Sequence, residues 1–447
     1  MKDVKYEGFS LQNEKGQSMS ASLLHFIKKS PNAYYAAENI REALLSEGFT
    51  ELFEGEKWSL APNADYFVSR NGASVIAFRT SDEDFDGFMM MAAHLDSPSF
   101  KLKADPFLSG TYTRVAVERY GGMNLWSWLD RPLSFAGRIV CRVGERIESR
   151  LVNLDRDAFI IPSVAVHQAR DLNTGFTLSP ATDLIPLYAV GKQDETLFSL
   201  LSELSGVPAE DILSHDLYLY ARDSGTHFGR SNELIAAPRL DDLASANAIF
   251  RGFLNATPCG SVPVAVFLNS EEVGSLSREG ADGSFLSDTL RRISDSFGGD
   301  GSDYLCRLAN SFLVSADNAH ALHPNRPELS DKVSAPVLNG GVVIKHAASQ
   351  AYTTDAVSEA IFAEICRKAG VPVQHYENRP DGVSGSTLGR LVFHHVSVPA
   401  VDIGLAQLSM HSAYETMGAA DIGYLESAAE AFFQSSVHAV KDGVYEL

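Results

Sequence analysis

The sequence predicts an α/β fold carrying an inserted β-rich segment, and three observations lead there. Helix-like and strand-like patterns alternate over about residues 18–93 and again from Leu240 onward, short β-rich runs dominate between Lys101 and Ser231, and no internal repeat or low-complexity tract points to another organisation. At 447 residues, 45% of them hydrophobic, the chain is long enough for two domains with substantial cores. The implied division places residues 1–100 and 236–447 in one α/β domain and residues 101–235 in the insertion.

In chain order, helix-like segments over Ser20–Lys28 and Ala36–Glu47 precede apolar strand runs that end in Phe88–Ala93. Within the insertion, Tyr112–Glu118, Gly137–Val143 and Ala158–Ile161 read as short strands, and the stretch from Glu195 to Leu204 reads as a helix. The last part alternates the Ala-rich helix Leu243–Leu254 with strands predicted over Val262–Leu268, Phe312–Ser315, Val337–Ile344 and Val398–Ile403.

Charge narrows the partners. With 37 basic and 57 acidic residues the formal net charge is -20, which argues against a nucleic-acid partner, because binding a phosphate backbone needs clustered Lys and Arg. So negative a field slows the approach of acidic ligands unless a local cation offsets it. Cys141, Cys259, Cys306 and Cys366 lie far apart with no CxxC pair, the pattern of reduced thiols. The first residues, MKDVKYEGFSLQNEKGQS, hold no apolar run of signal-peptide length, and no later run reaches that of a membrane helix. The expectation is a soluble cytoplasmic protein with no membrane partner.

Chemistry concentrates where the apolar runs of the α/β part stop. Phe88–Ala93 runs into His94-Leu95-Asp96, Val262–Leu268 into Asn269-Ser270-Glu271-Glu272, and Phe312–Ser315 into Ala316-Asp317-Asn318-Ala319-His320; Val398–Ile403 leads through a short loop to Met410-His411-Ser412. Ligands of open α/β sheets bind beyond the carboxyl ends of the strands, so these segments converge on one crevice. Two histidines and several carboxylates without thiolate suit Zn²⁺, Mn²⁺ or Co²⁺. A pair of cations about 3.5–4 Å apart also needs a bridging carboxylate, for which Asp241, just ahead of the Ala-rich helix, is the candidate.

Each piece has a plainer reading. His94 could be a satisfied strand-end histidine, Glu271-Glu272 a solvated acidic turn, and Asp317 the cap of a helix that His320 would enter; His411 alone says little. Four such pieces at four strand ends favour the shared metal crevice. Side chains of consecutive residues diverge, so one glutamate of the pair could hold metal while the other faces the substrate water.

The runs AAHLDSPSFKLK, RLDDLAS, NSEEVGS, SADNAHALHPN, VIKHAASQAYTT, GSTLG and MHSAYETMG, in that order from His94 to Gly418, resemble the aspartyl aminopeptidase family of dinuclear zinc exopeptidases. The resemblance implies a zinc-aminopeptidase-like α/β catalytic domain with an inserted β-rich domain. By that resemblance His94, Asp241 and Asp317 would hold one metal and Asp241, Glu272 and His411 the other, two divalent ions per subunit, most often Zn, with Glu271 as general base. Asp96 would orient His94 from behind. His167 would reach a neighbouring subunit's crevice, and His320, Lys345 and Tyr352 would contact substrate, Lys345 receiving an acidic side chain and Tyr352 donating to the oxyanion. Taken alone, His167 reads as a loop histidine, Lys345 as a snorkelling edge-strand lysine and Tyr352 as a packed aromatic.

Four positions depart from the family's pattern: Asn269 replaces an acidic residue, Asp242 an asparagine, Ala351 a basic residue, and Ser384-Gly385 stands where Cys-Gly is common. None is a ligand. The implied activity is release of an amino-terminal Asp or Glu from short peptides. The alternatives are broader, neutral specificity (Ala351 removes a positive charge), a deacylase or dipeptidase on the same metals, and a non-catalytic assembly protein. The family also implies homo-oligomers, dimers built through the insertion and then tetrahedral dodecamers.

Overall fold

A computed structural model describes residues 9–81, 84–382, 385 and 387–447. The reading of the extreme amino terminus over residues 1–8, the departure at Ser384, and Ser386 of the GSTLG run lie outside these described residues.

The chain opens with helices α1 (Phe9–Lys29) and α2 (Ala33–Ser46), then strands β1 (Thr50–Leu52), β2 (Asp65–Arg70), β3 (Ser74–Arg79) and β4 (Phe88–His94). Next come β5 (Ser99–Leu108), β6 (Tyr112–Tyr120), β7 (Leu133–Val143), β8 (Arg146–Asn153), β9 (Leu187–Val190), helix α3 (Leu197–Ser205) and β10 (Ile212–Ala221). After β11 (Thr226–Phe228) and β12 (Leu234–Ala237) follow α4 (Leu240–Asn255), β13 (Val262–Leu268), α5 (Phe285–Ser296), α6 (Gly301–Ala309), β14 (Phe312–Ala316) and β15 (Ala319–His320). The chain closes with β16 (Val342–His346), α7 (Ala356–Lys368), β17 (Val373–Glu377), α8 (Leu388–Val392), β18 (Ala400–Gly404), β19 (Ala406–Leu408), β20 (Glu415–Gly418), α9 (Ala419–Phe433) and the hairpin β21 (His438–Lys441)–β22 (Val444–Glu446).

The expected α/β architecture is what forms. A nine-stranded sheet runs β1-β2-β3-β13-β4-β14-β18-β16-β17, with β13, β4, β14 and β18 mutually parallel at its centre. Strands buried on both faces must be apolar throughout, which is why β4 and β13 read as unbroken hydrophobic runs. Side chains alternate between the faces. Met89, Met91 and Ala93 enter the core shared with α1, α2, α4, α7 and α9, while Phe88, Met90 and Ala92 pack against α5 and α8.

Between β4 and β12 the chain builds a separate antiparallel sheet, β8-β7-β10-β5-β6-β9, whose own core includes Phe100, Phe135, Leu217 and, from α3, Leu200 and Leu201. A five-stranded sheet, β11-β12-β20-β19-β15, adjoins the carboxyl ends of the central strands.

Local readings differ in three places. The strand expected over Val337–Ile344 starts only at Val342, because Asn339 and Gly341 take positive φ in a turn and a side chain at Gly341 would collide with the Pro372 carbonyl. Ala158–Ile161 makes two isolated bridges, Leu133 to Phe159 and Ile160 to Leu187, without becoming a strand. Asp317 caps no helix, since Ala319–His320 is a strand paired with β19.

Candidate metal centre

Three central strands end side by side. His94 closes β4, Glu271 and Glu272 form a turn just beyond β13, and Asp317 follows β14. Asp241 stands at the start of α4 with non-helical φ/ψ, so its side chain turns toward the strand ends. His411 comes from the loop between β19 and β20, at φ +63°. Ser270, ahead of the glutamate pair, also has positive φ, +68°. Such backbone in non-glycine residues is uncommon and clusters at working sites.

The side chains fall into two groups that share one residue. In His94, Asp241 and Asp317, and again in Asp241, Glu272 and His411, the ligating atoms all lie within 4.8 Å of one another. Asp241 Oδ1 is 3.5 Å from His94 Nε2, and its Oδ2 is 3.4 Å from His411 Nε2. His411 Nε2 is also 3.4 Å from Glu272 Oε2, and His94 Nε2 is 3.9 Å from Asp317 Oδ1. These spacings exceed a hydrogen bond and suit donors arranged around a common cation.

Two further observations fit a metal. Asp241 Oδ1 and Glu272 Oε1 are buried without a hydrogen-bond partner, which is costly for anionic oxygens unless a cation meets them. The charges are also unbalanced: Asp96, Asp241, Asp242, Glu271, Glu272, Asp317 and Glu415 crowd around His94, His411 and Lys345. With protein groups alone, burial and neighbouring carboxylates push Glu271 up to about 8, and burial with Asp241 does the same to Glu415. Glu272 and Asp242 are driven up chiefly by burial. Asp241 goes the other way, because His411 and His94 outweigh burial and hold it below the carboxylate range. Burial lowers both histidines, but Asp241 more than reverses this and raises them.

A second ring of residues holds the first. The Asp96 carboxylate accepts the backbone N–H of Glu271 at Oδ1 and that of Glu272 at Oδ2, each at 3.1 Å, and the Tyr120 hydroxyl at Oδ2 at 2.7 Å. His94 Nδ1 lies 3.0 Å from the Asp96 carbonyl and 3.6 Å from its Oδ1. Glu415 accepts the backbone N–H groups of His411 at 2.7 Å and Asp241 at 3.1 Å. The Gly121 position, at φ +77°, suits glycine, since a Cβ there would take the left-handed backbone and crowd Glu272 Cβ at 3.2 Å. The inserted sheet, through Tyr120 and Gly121, thus forms one wall of the site.

The remaining predicted residues are placed differently. Lys345 is 2% exposed; its ammonium donates to the carbonyls of Asp317 (2.8 Å) and Asn318 (3.2 Å) and lies 3.3 Å from Asp317 Oδ2. Tyr352 is buried with its ring 5.1 Å from that ammonium. His320 sits at the rim, on a cleft of about 510 Å³ that also touches Tyr376 and Arg379. His167 is on an exposed turn of the loop between β8 and β9. Sequence reasoning missed Glu415 and Tyr120. Glu415 lies four residues after His411 in the MHSAYETMG run; nothing local marks Tyr120.

A family model described as aminopeptidase I zinc metalloprotease (M18) matches residues 26–433. A curated relative, the probable M18 family aminopeptidase 2 of Clostridium acetobutylicum, is 39% identical over 422 residues, covering 92% of this chain and 97% of that one. Among solved structures, the cryo-EM structure of the Ape4 and Nbr1 complex aligns with a TM-score of 0.91 at 31% identity, over 96% of this chain and 88% of that chain. The S. cerevisiae mApe1 dodecamer aligns at 0.81 and 26% identity, over 94% and 97%.

Proposed function

Since this chain belongs to the M18 family of zinc aminopeptidases, we propose that it removes the amino-terminal residue of short peptides, preferring Asp or Glu, at a site for two divalent cations. The observation that carries the reading is the Asp241 carboxylate, which offers one oxygen to the His94 group and the other to the His411 group. His94, Asp241 and Asp317 would hold one ion, and Asp241, Glu272 and His411 the other. Bound there, zinc, or cobalt or manganese in its place, would polarise the scissile carbonyl and acidify the attacking water.

The chain's own groups supply the proton transfers. Glu271, fixed by its backbone bond to Asp96, takes the proton of the attacking water and passes it to the leaving amine as the C–N bond breaks. The ring of carboxylates attracts the substrate's free α-ammonium. Tyr352 donates to the oxyanion, His320 lines the approach, and Lys345 is the cation we assign to an acidic substrate side chain. One observation favours a neutral specificity as the second reading: the Lys345 ammonium is already engaged by Asp317.

The relative described as a dodecamer supports a homo-oligomer here; we propose further that dimers assemble into a tetrahedral dodecamer. In this proposal residues 101–235 are the assembly domain, flanked by catalytic residues 1–100 and 236–447, and the exposed His167 reaches a neighbouring crevice. Four unpaired cysteines, and no helix of the described residues long and apolar enough to cross a membrane, suit the proposed cytoplasmic setting.

The test compares initial rates, with metal supplied, on aspartyl, glutamyl, leucyl and amino-acetylated aspartyl chromogenic amides. Fast release from the first two alone supports the acidic pocket. Dominant leucyl release keeps the aminopeptidase and removes the Lys345 assignment, and cleavage of the acetylated amide moves the activity to deacylation. Light scattering that found a monomer would defeat both the assembly and the role of His167.

A further inference from the structure

We infer that the chain carries a third divalent-cation site, separate from the catalytic crevice, formed by His346 at the end of β16, His375 on β17 and Glu359 in α7. Among the described residues this is the one set of three His, Cys, Asp or Glu donors within 4.8 Å of one another that lies outside the crevice. Glu359 spans the pair: its Oε1 is 3.4 Å from His375 Nδ1, and its Oε2 is 3.7 Å from His346 Nε2. The imidazole centroids are 5.7 Å apart.

These spacings repeat those of the catalytic cluster, where histidine nitrogens and carboxylate oxygens stand 3.4–3.9 Å apart. They exceed a hydrogen bond. Two donors at about 2.1 Å from a tetrahedral zinc ion stand about 3.4 Å apart, so a small closure around the ion completes the geometry. Two imidazoles and one carboxylate form a borderline donor set that selects zinc-class ions over Mg²⁺ or Ca²⁺. The side chains are 24%, 30% and 50% exposed for His346, Glu359 and His375, which leaves an open path for the ion and a water in the fourth position.

The topology keeps the site apart from the crevice. Parallel pairing sets Ile344 opposite His375 and His346 opposite Glu377, so both histidines share the face of Ile344, which packs under α7. Lys345 points to the opposite face, toward Asp317. Because β17 is the edge of the nine-stranded sheet, an ion here fastens that edge to α7. It also ties together the two ends of the segment 347–358.

The test counts metal in the full-length protein by mass spectrometry after equilibration with buffered micromolar zinc, comparing wild type with His375→Ala and Glu359→Gln. Both residues are partly exposed, so the variants keep the fold, which circular dichroism checks. The expected result is one zinc per chain fewer in each variant than in wild type, with leucyl-amide or aspartyl-amide turnover retained and a smaller rise in Tm on adding zinc. Equal zinc counts in wild type and both variants would overturn the site, whatever number the crevice itself holds.

Discussion

Asp96 gives the sharpest test of how the site is built, because each of its carboxylate oxygens has an assigned task. Oδ1 takes the Glu271 N–H, and Oδ2 takes the Glu272 N–H and the Tyr120 hydroxyl. Asp96→Asn keeps the size but turns one oxygen into an NH₂ donor. If the NH₂ replaces Oδ1 it faces the Glu271 N–H; if it replaces Oδ2 it faces the Glu272 N–H, while the Tyr120 hydroxyl can rotate to accept. Either way one backbone N–H of the glutamate turn loses its acceptor. That costs about 1–3 kcal/mol, which at about 1.4 kcal/mol per factor of ten is roughly 5- to 140-fold.

The loss should divide according to which glutamate is released. Freeing Glu271 misplaces the base and lowers kcat at saturating zinc; freeing Glu272 loosens a ligand and raises the zinc needed for half activity, about 10- to 100-fold for a supporting partner of this kind. Steady-state hydrolysis across a zinc titration separates the two. Tyr120→Phe serves as the milder control: it removes one donor and leaves both backbone bonds, for about 1 kcal/mol or roughly fivefold. Its phenol is held above the ordinary tyrosine range by burial and by Asp96, so it remains a donor at neutral pH. Asp96→Asn with wild-type kcat and wild-type zinc affinity would refute the reasoning, as would a Tyr120→Phe loss larger than that of Asp96→Asn.

Glu271→Gln should keep its metal content but lose about 10²- to 10⁴-fold in kcat, with no recovery on adding zinc; metal analysis beside the rate assay separates this from ligand loss. Glu415→Gln should show the opposite behaviour, since it disturbs the backbone of Asp241 and His411: activity falls at limiting zinc and returns at high zinc. For pH, the sign follows from His94 and His411, whose protons the metal-free site holds more tightly than free imidazole does because Asp241 outweighs burial. Zinc must displace those protons, so affinity should rise with pH and binding should release protons, seen calorimetrically as an enthalpy that depends on the buffer.

Much of the fold was legible because its central strands lie under helices on both faces. β13 matches its apolar run, Val262–Leu268, to the residue, and β4 extends its run only by His94. Legibility failed where tertiary contacts outweighed the local pattern. Val337 and Leu338 look like the start of a strand, but the Asn339–Gly341 turn redirects the chain, and Ala158–Ile161 finds only bridging partners. In the site, residues at strand ends were readable because a cluster of carboxylates and histidines directly after a buried strand is costly to desolvate unless a ligand meets it. Of the residues that hold them, Asp96 was legible only as a support of His94, and Glu415 and Tyr120 were missed. The Glu271 and Glu272 amides meet Asp96 across 175 and 176 positions of sequence, and the Asp241 amide meets Glu415 across 174. A backbone N–H leaves no trace in residue type, so no pattern at Asp96 or Glu415 could announce it. His346 passed unread inside the VIKHAASQAYTT run for a related reason. Its neighbour Lys345 faces the crevice, whereas the partners of His346 are set by the parallel register of β16 with β17 and by the packing of α7. Motif reading finds the face of a strand that carries the motif's own residues, and the other face must be searched in three dimensions.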